Sequence, residues 1–202
     1  MAGEVSCQWA PWFRTHYTDF DKAPPNFQLA VWTAEHNQLL NELEKERRGL
    51  QEGTFRESQN QFRVRRPSGM AISGRPDLIT IDQNGLVKIY DVKTGTPRHS
   101  DVIQVMLYMI LLPFFSPLYK GKQPGGCVVY KNGNRSEIPA KAIDADFQGL
   151  VTHFLNIVES PEPPGRTPGA MECQYCDITD EDCEERSNQS DSTEGNEPQV
   201  PL

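Results

Sequence analysis

Two aspartates and a lysine carry the first chemical signal in this chain of 202 residues. Asp77 lies in Gly74-Arg-Pro-Asp-Leu-Ile79, and Asp91 and Lys93 lie in Ile89-Tyr-Asp-Val-Lys-Thr-Gly95. Both segments read as strands, 71–82 and 86–93, joined by the turn signal Gln83-Asn84-Gly85. Residues two apart on a strand point to the same face, so Asp91 and Lys93 share one. Neighbouring carboxylates suit a hard divalent cation, which prefers oxygen ligands. Such a cation offsets charge on a phosphate and lowers the pKa of an attacking water, and a nearby ammonium orients that water and stabilises the developing oxyanion. Phosphodiester hydrolysis is therefore the chemistry these residues could do. An Asp-x-Lys alone arises often by chance, and the competing reading is two surface acids at strand edges. No other lysine in the chain has an acid two residues before it.

Gln104 and Tyr108 follow on the next apolar segment. They are four residues apart, so on a helix they share a face. A Gln among Val102, Ile103, Val105 and Met106 needs a partner. The pair reads either as strand-holding groups or as an interior Gln beside a packing Tyr. The cysteines form a second constellation. Cys173 and Cys176 have two residues between them and Cys183 follows after six more, which reads as a metal site short of one ligand. Cys7 completes it if the two ends of the chain meet. The spacing alone fits a 4Fe–4S cluster and a structural Zn²⁺ equally. Cys127, in Cys-Val-Val-Tyr, reads as a core residue.

The elements that must position these groups are legible in outline. Residues 28–49 have helical spacing, with Leu29, Trp32, His36, Leu39, Leu40 and Leu43 on one broad face. Residues 61–66 alternate Phe62 and Val64 inward with Arg63 and Arg65 outward, as a strand does. Ser100 offers an N-cap for a helix over 102–112 that Pro113 stops. Residues 127–131 and 135–138 flank Asn132-Gly133 as a hairpin, and 143–159 reads as a last helix. A helix, three strands, a helix, a hairpin and a helix make an α/β or mixed α+β domain around a small sheet.

The series Gly74-Arg-Pro-Asp77-Leu-Ile, Asp91-Val-Lys93-Thr-Gly and Gln104-x-x-x-Tyr108 resembles the RecB-type branch of the PD-(D/E)XK nuclease superfamily. Within it the chain looks most like the CRISPR-associated exonucleases and the AddB nuclease domain, which add an iron–sulfur cluster. The resemblance covers about residues 7–183. It implies a small central sheet with flanking helices, a restriction-endonuclease-like core, and termini joined by a cysteine-ligated cluster. It implies Asp77 and Asp91 as ligands of Mg²⁺ or Mn²⁺, the Val92 carbonyl as a further ligand, and Lys93 as the catalytic lysine. Gln104 and Tyr108 match the family's Gln-x-x-x-Tyr motif. A first-helix histidine ligand is best matched by His36, although Trp32 stands where the family has a glycine, which keeps Glu35 open as an alternative. Cys7, Cys173, Cys176 and Cys183 become the ligands of a 4Fe–4S cluster, with structural Zn²⁺ as the alternative. The expected activity is DNA cleavage, as an exonuclease on single-stranded or frayed ends. The competing function is a DNA-binding or assembly module within a recombination or CRISPR-adaptation complex.

Charge neither supports nor excludes a DNA substrate. The chain carries a formal charge of -8, but residues 172–202 hold ten acids and one base, Arg186, leaving 18 acids against 19 bases elsewhere. Candidate phosphate contacts are Arg63, Arg65, Arg66, Arg75 and Arg98, then Lys120 and Lys122. The competing reading is a solvated basic face. No apolar run is long enough to span a bilayer, and the first residues lack a secretory pattern, so no membrane association and a cytoplasmic location are expected. Residues 1–186 read as one nuclease domain with a Pro-rich linker near 160–170, and 187–202 as a disordered acidic tail.

Overall fold

Turn chemistry and alternation shape the central sheet. In this computed structural model, which describes residues 7–24 and 28–186, seven strands run β1 Gly53–Arg56, β2 Phe62–Arg65, β3 Ala71–Gly74, β4 Leu78–Ile81, β5 Val87–Lys93, β6 Gly125–Tyr130 and β7 Arg135–Ile138. The helices are α1 Trp9–His16, α2 Leu29–Gly49, α3 Glu57–Asn60, α4 His99–Phe115, α5 Ala145–Glu159 and α6 Ala170–Gln174. Five strands form one sheet in the order β1-β4-β5-β6-β7, and β2 and β3 form a separate two-stranded sheet. Pairing is antiparallel except between β5 and β6, which α4 connects as a crossover. The architecture is the expected mixed α+β, with a mostly antiparallel sheet and flanking helices. The tail expected from residue 187 lies outside the described residues.

The described residues fall into two compact units, one of residues 28–152 and one of residues 7–24 with 153–186. In the larger unit β5 is buried on both faces. Val87 and Ile89 pack with Val105, Met109 and Leu112 of α4. Tyr90 and Val92 pack with Leu40 and Leu43 of α2. Burying each such side chain contributes about 1.5–3 kcal/mol. Gly126 lets α4 lie close to the sheet, because a Cβ there would fall 2.5 Å from Val105 Cγ1. The other unit is built on Trp9, Trp12 and Phe13 of α1 against Ile178, with Cys7, Cys176 and Cys183 packed around them.

The structure corrects several local expectations. The strand expected over 71–82 is two strands in two sheets, since Arg75-Pro76 breaks the run between β3 and β4. Pro113 does not stop α4, which continues to Phe115. A proline so near a helix end removes a single N–H and leaves few following turns to disturb. The α4 N-cap is Arg98, whose N–H donates to Asp101 Oδ2 at 2.9 Å, rather than Ser100. In α2 the apolar face is buried only from His36 onward; Leu29 and Trp32 are exposed. Helix α1 and strand β1 were not expected.

Candidate active site

The β4–β5 register sets the site. Leu78 pairs with Tyr90, so one step further Asp77 stands opposite Asp91. Both carboxylates are buried. Asp77 Oδ2 accepts the Val92 N–H at 2.7 Å, which ties it to the neighbouring strand. It also lies 3.3 Å from His36 Nε2, reached from α2. Glu57 joins them. Its N–H donates to the Asp77 carbonyl at 3.1 Å, extending the β1–β4 ladder by one residue. His36, Glu57 and Asp77 each offer a ligand atom, and these atoms all lie within 4.8 Å of one another.

Electrostatics mark the same residues. Burial, reinforced by the facing Asp77, pushes the Asp91 carboxyl up to about 6, against the pull of Lys93. Lys93 Nζ lies 2.7 Å from Asp91 Oδ2. Burial disfavours the Lys93 charge, but Asp91 outweighs it and the ammonium's pKa is raised. The hydrogen bond to Asp77 raises the His36 pKa against its burial. From Lys93 a chain of hydrogen bonds leads away from the carboxylates. Its ammonium donates to Gln104 Oε1 at 2.9 Å, and Gln104 Nε2 donates to Tyr108 Oη at 2.9 Å. Gln104 thus has the partners an apolar helix required of it. Tyr108 is held edge-on to Phe62, ring centroids 6.1 Å apart, and Gly74 leaves the space both rings occupy.

Two buried carboxylates face each other across β4 and β5, with a lysine two residues after the second. The sequence model of the PD-(D/E)XK nuclease superfamily matches residues 8–180. The chain belongs to that superfamily. The superfamily is one of nucleases, and nuclease activity with a divalent metal is what membership implies. Among solved structures it resembles one described as "Crystal structure of SSO0001", at 22% identity and a TM-score of 0.43. The match covers 69% of this chain and 65% of the other, so this chain spans under two thirds of that protein's length. No curated protein matches.

The structure brings Asp77, Asp91, Lys93, Gln104, Tyr108 and His36 together. It separates His36 from Glu35, whose carboxylate instead pairs with Lys131 at 2.7 Å. Val92 enters through its amide N–H. Arg75 lies 3.9 Å from Glu57 at the rim, and Arg65 is exposed on β2. Arg98 is exposed at the start of α4. Glu57 was missed by the sequence reading. It stands outside every motif and reaches Asp77 only because β1, a four-residue strand without clear alternation, pairs with β4.

The second constellation lies in the other unit. Cys7, Cys173, Cys176 and Cys183, all free thiols, line one cavity of about 180 Å³. Trp9 stacks on Phe13 at 4.8 Å beneath it, and Arg166 lies over Trp9. Arg14 Nη2 donates to Cys176 Sγ at 3.5 Å. Cys127 is apart from this group in the β6 core, where burial pushes its thiol up to about 12. Among the described residues no helix is long and apolar enough to cross a membrane.

Proposed function

We propose that the chain is a DNA nuclease of the RecB-like branch that uses Mg²⁺ or Mn²⁺ and cuts single-stranded or frayed ends. The carrying observation is the convergence of His36, Glu57 and Asp77 donor atoms within 4.8 Å, beside Asp91 and Lys93. Nitrogen and oxygen donors with buried carboxylates fit a hard divalent cation. His36, Asp77, Asp91 and the Val92 carbonyl would hold it, with Glu57 as an added donor. The bound cation supplies charge neutralisation at the phosphate and a lowered pKa for water. Lys93 acts as a cation and hydrogen-bond donor toward the developing oxyanion. Gln104 fixes the Lys93 ammonium and orients the Tyr108 hydroxyl, which faces the strand to be cut.

The four thiols support a 4Fe–4S cluster as a structural group. A single tetrahedral zinc, with Zn–S bonds of ~2.3 Å, holds all its sulfurs within about 4 Å. All four thiols line one cavity of about 180 Å³, and that common lining is what supports a group held by all of them. Such a group would link Cys7 to the three downstream cysteines and close a long loop.

The test is cleavage of 5′- and 3′-labelled single-stranded DNA in Mn²⁺ by anaerobically purified protein and its Lys93→Ala variant. The variant should lose on the order of 10²–10³-fold in rate with an unchanged melting curve. Equal cleavage by both would end the catalytic assignment. A brown wild-type protein carrying iron and sulfide is expected, and a colourless one carrying zinc would overturn the cluster.

A further inference from the structure

The two-stranded sheet β2–β3 stands outside the main sheet, and only its contact with Tyr108 has a use so far. Its register pairs Phe62 with Gly74, Arg63 with Ser73 and Arg65 with Ala71. Alternation therefore gives it two unlike faces. The inner face carries Phe62, Val64 and Gly74. Phe62 meets Tyr108 edge-on, and a Cβ on Gly74 would fall 2.7 Å from Phe62 and 2.8 Å from Tyr108. No side chain larger than hydrogen fits there, so the hairpin is seated directly on the last residue of the Lys93–Gln104–Tyr108 chain.

The outer face carries Gln61, Arg63, Arg65, Ala71, Ser73 and Arg75, with three guanidiniums and no acid. Arg63, Arg65 and Arg75 are exposed. Among the described residues no acid pairs with Arg63 or Arg65. In a chain of net charge -8, two unpaired arginines side by side are not required for solubility. Nor does packing hold them, since both side chains are exposed. Two residues along a strand span ~6.7 Å, close to the step between successive phosphates of an extended single strand. The row has a direction as well. It runs from Arg65 through Arg63 to Arg75, which lies 3.9 Å from Glu57, and two residues later the same segment delivers Asp77.

We propose that the outer face of the β2–β3 hairpin is a phosphate-binding rail that guides one DNA strand toward the Asp77–Asp91 site. The inference rests on the nuclease reading for its choice of ligand, but not for its geometry. Arg63 and Arg65 each contact one backbone phosphate, read no base, and set affinity rather than the rate of the chemical step. A row one side chain wide serves one strand, so single-stranded DNA is its ligand and a blunt duplex is not.

The test is binding of a fluorescently labelled single-stranded 20-mer, read by anisotropy in EDTA across a salt series. Arg63→Ala/Arg65→Ala should lower the slope of log affinity against log salt by about 1.4, at roughly 0.7 per phosphate contact. At 0.1 M salt that corresponds to about 20-fold weaker binding. Arg63→Lys/Arg65→Lys, which keeps the charges, should retain the wild-type slope and guards against a folding defect. In Mn²⁺ the alanine pair should raise KM and leave kcat unchanged. An unchanged slope in the alanine variant overturns the rail, even if wild-type protein cleaves DNA. A lowered slope without any cleavage by the wild type keeps the rail and removes the nuclease reading instead. The same slope change on a blunt duplex overturns the assignment to a single strand.

Discussion

The two units of the molecule hold their functional groups by different means. Residues 28–152 bury a five-stranded sheet between two apolar layers, and this core carries two opposed carboxylates at its edge. Burying Asp91, opposite Asp77, disfavours its charged form, and a sheet buried on both faces can bear that cost. The other unit has no such reserve. Among its described residues are helices α1 and α6, part of α5, a bridge between Lys22 and Ile178, and a core of four large side chains. A core that small rarely suffices without a staple. The comparison teaches that the acidic site is a strain carried by a stable sheet, whereas the small core beside the four thiols would depend on the group proposed to bind there.

The sharpest way to break that comparison is Cys176→Ser. Structural metal groups contribute on the order of 10 kcal/mol to the units they close. Losing one ligand should therefore release α1 to rapid amide exchange while β5 and β6 keep their protection. Hydrogen exchange resolved by peptide reads both at once. Protected α1 amides in the variant would show that the aromatic core of Trp9, Trp12 and Phe13 is sufficient alone.

Leu40→Ala is the reciprocal experiment. Leu40 is fully buried against Leu78, Tyr90 and Val92, and removing it leaves a cavity costing about 2–5 kcal/mol. Exchange should quicken across β4, β5 and β6 and stay unchanged in α1. An equal effect in both units would mean that they unfold together and are not separate in stability.

Legibility in the sequence followed the range of the interaction. The β4–β5 turn, the β6–β7 hairpin and helix α2 were readable because their signals are local: Gly85 and Gly133 take φ of +76° and +85° in the turns, and Leu40 and Leu43 recur at helical spacing. Asp91 and Lys93 were readable because period two fixes their shared face. Glu57 was not, since only the pairing of β1 with β4, 25 residues apart, carries it to Asp77. The choice between His36 and Glu35 also lay beyond local pattern. Lys131, from the turn after β6, pairs with Glu35, whereas His36 meets Asp77. The split of the run 71–82 was signalled by Pro76, but the destination of each half was a matter of tertiary pairing.

Gly74→Ala probes where strain enters the stable unit. The new methyl would overlap Phe62 and Tyr108, and overpacking of this kind costs about 1–3 kcal/mol. A lower urea midpoint with an unchanged m-value is expected, together with slower cleavage as Tyr108 moves off Gln104. Full activity at reduced stability would separate the hairpin seat from the placement of Tyr108.

The smallest expected effect is a pH dependence that belongs to one unit only. Arg47 holds Glu52 through both carboxylate oxygens, and this hydrogen bonding lowers the Glu52 pKa against its burial. A carboxyl with a folded pKa below its unfolded value adds stability that is fully present above about pH 4.3 and is lost as pH falls through the folded value. Both side chains are largely buried, at 12% and 15% exposure, so the pair should count for about 1 kcal/mol. In the cysteine unit the comparable pair, Arg14 with Asp177, is 39% and 36% exposed and open to solvent screening. Calorimetric scans from pH 7 to pH 3 should therefore show the sheet unit's transition falling below pH 4.3. Arg47→Gln should flatten that limb and leave the other transition where it was. If the variant keeps the wild-type acid limb, the pair contributes nothing to folding and the sheet unit owes its stability to its apolar layers alone.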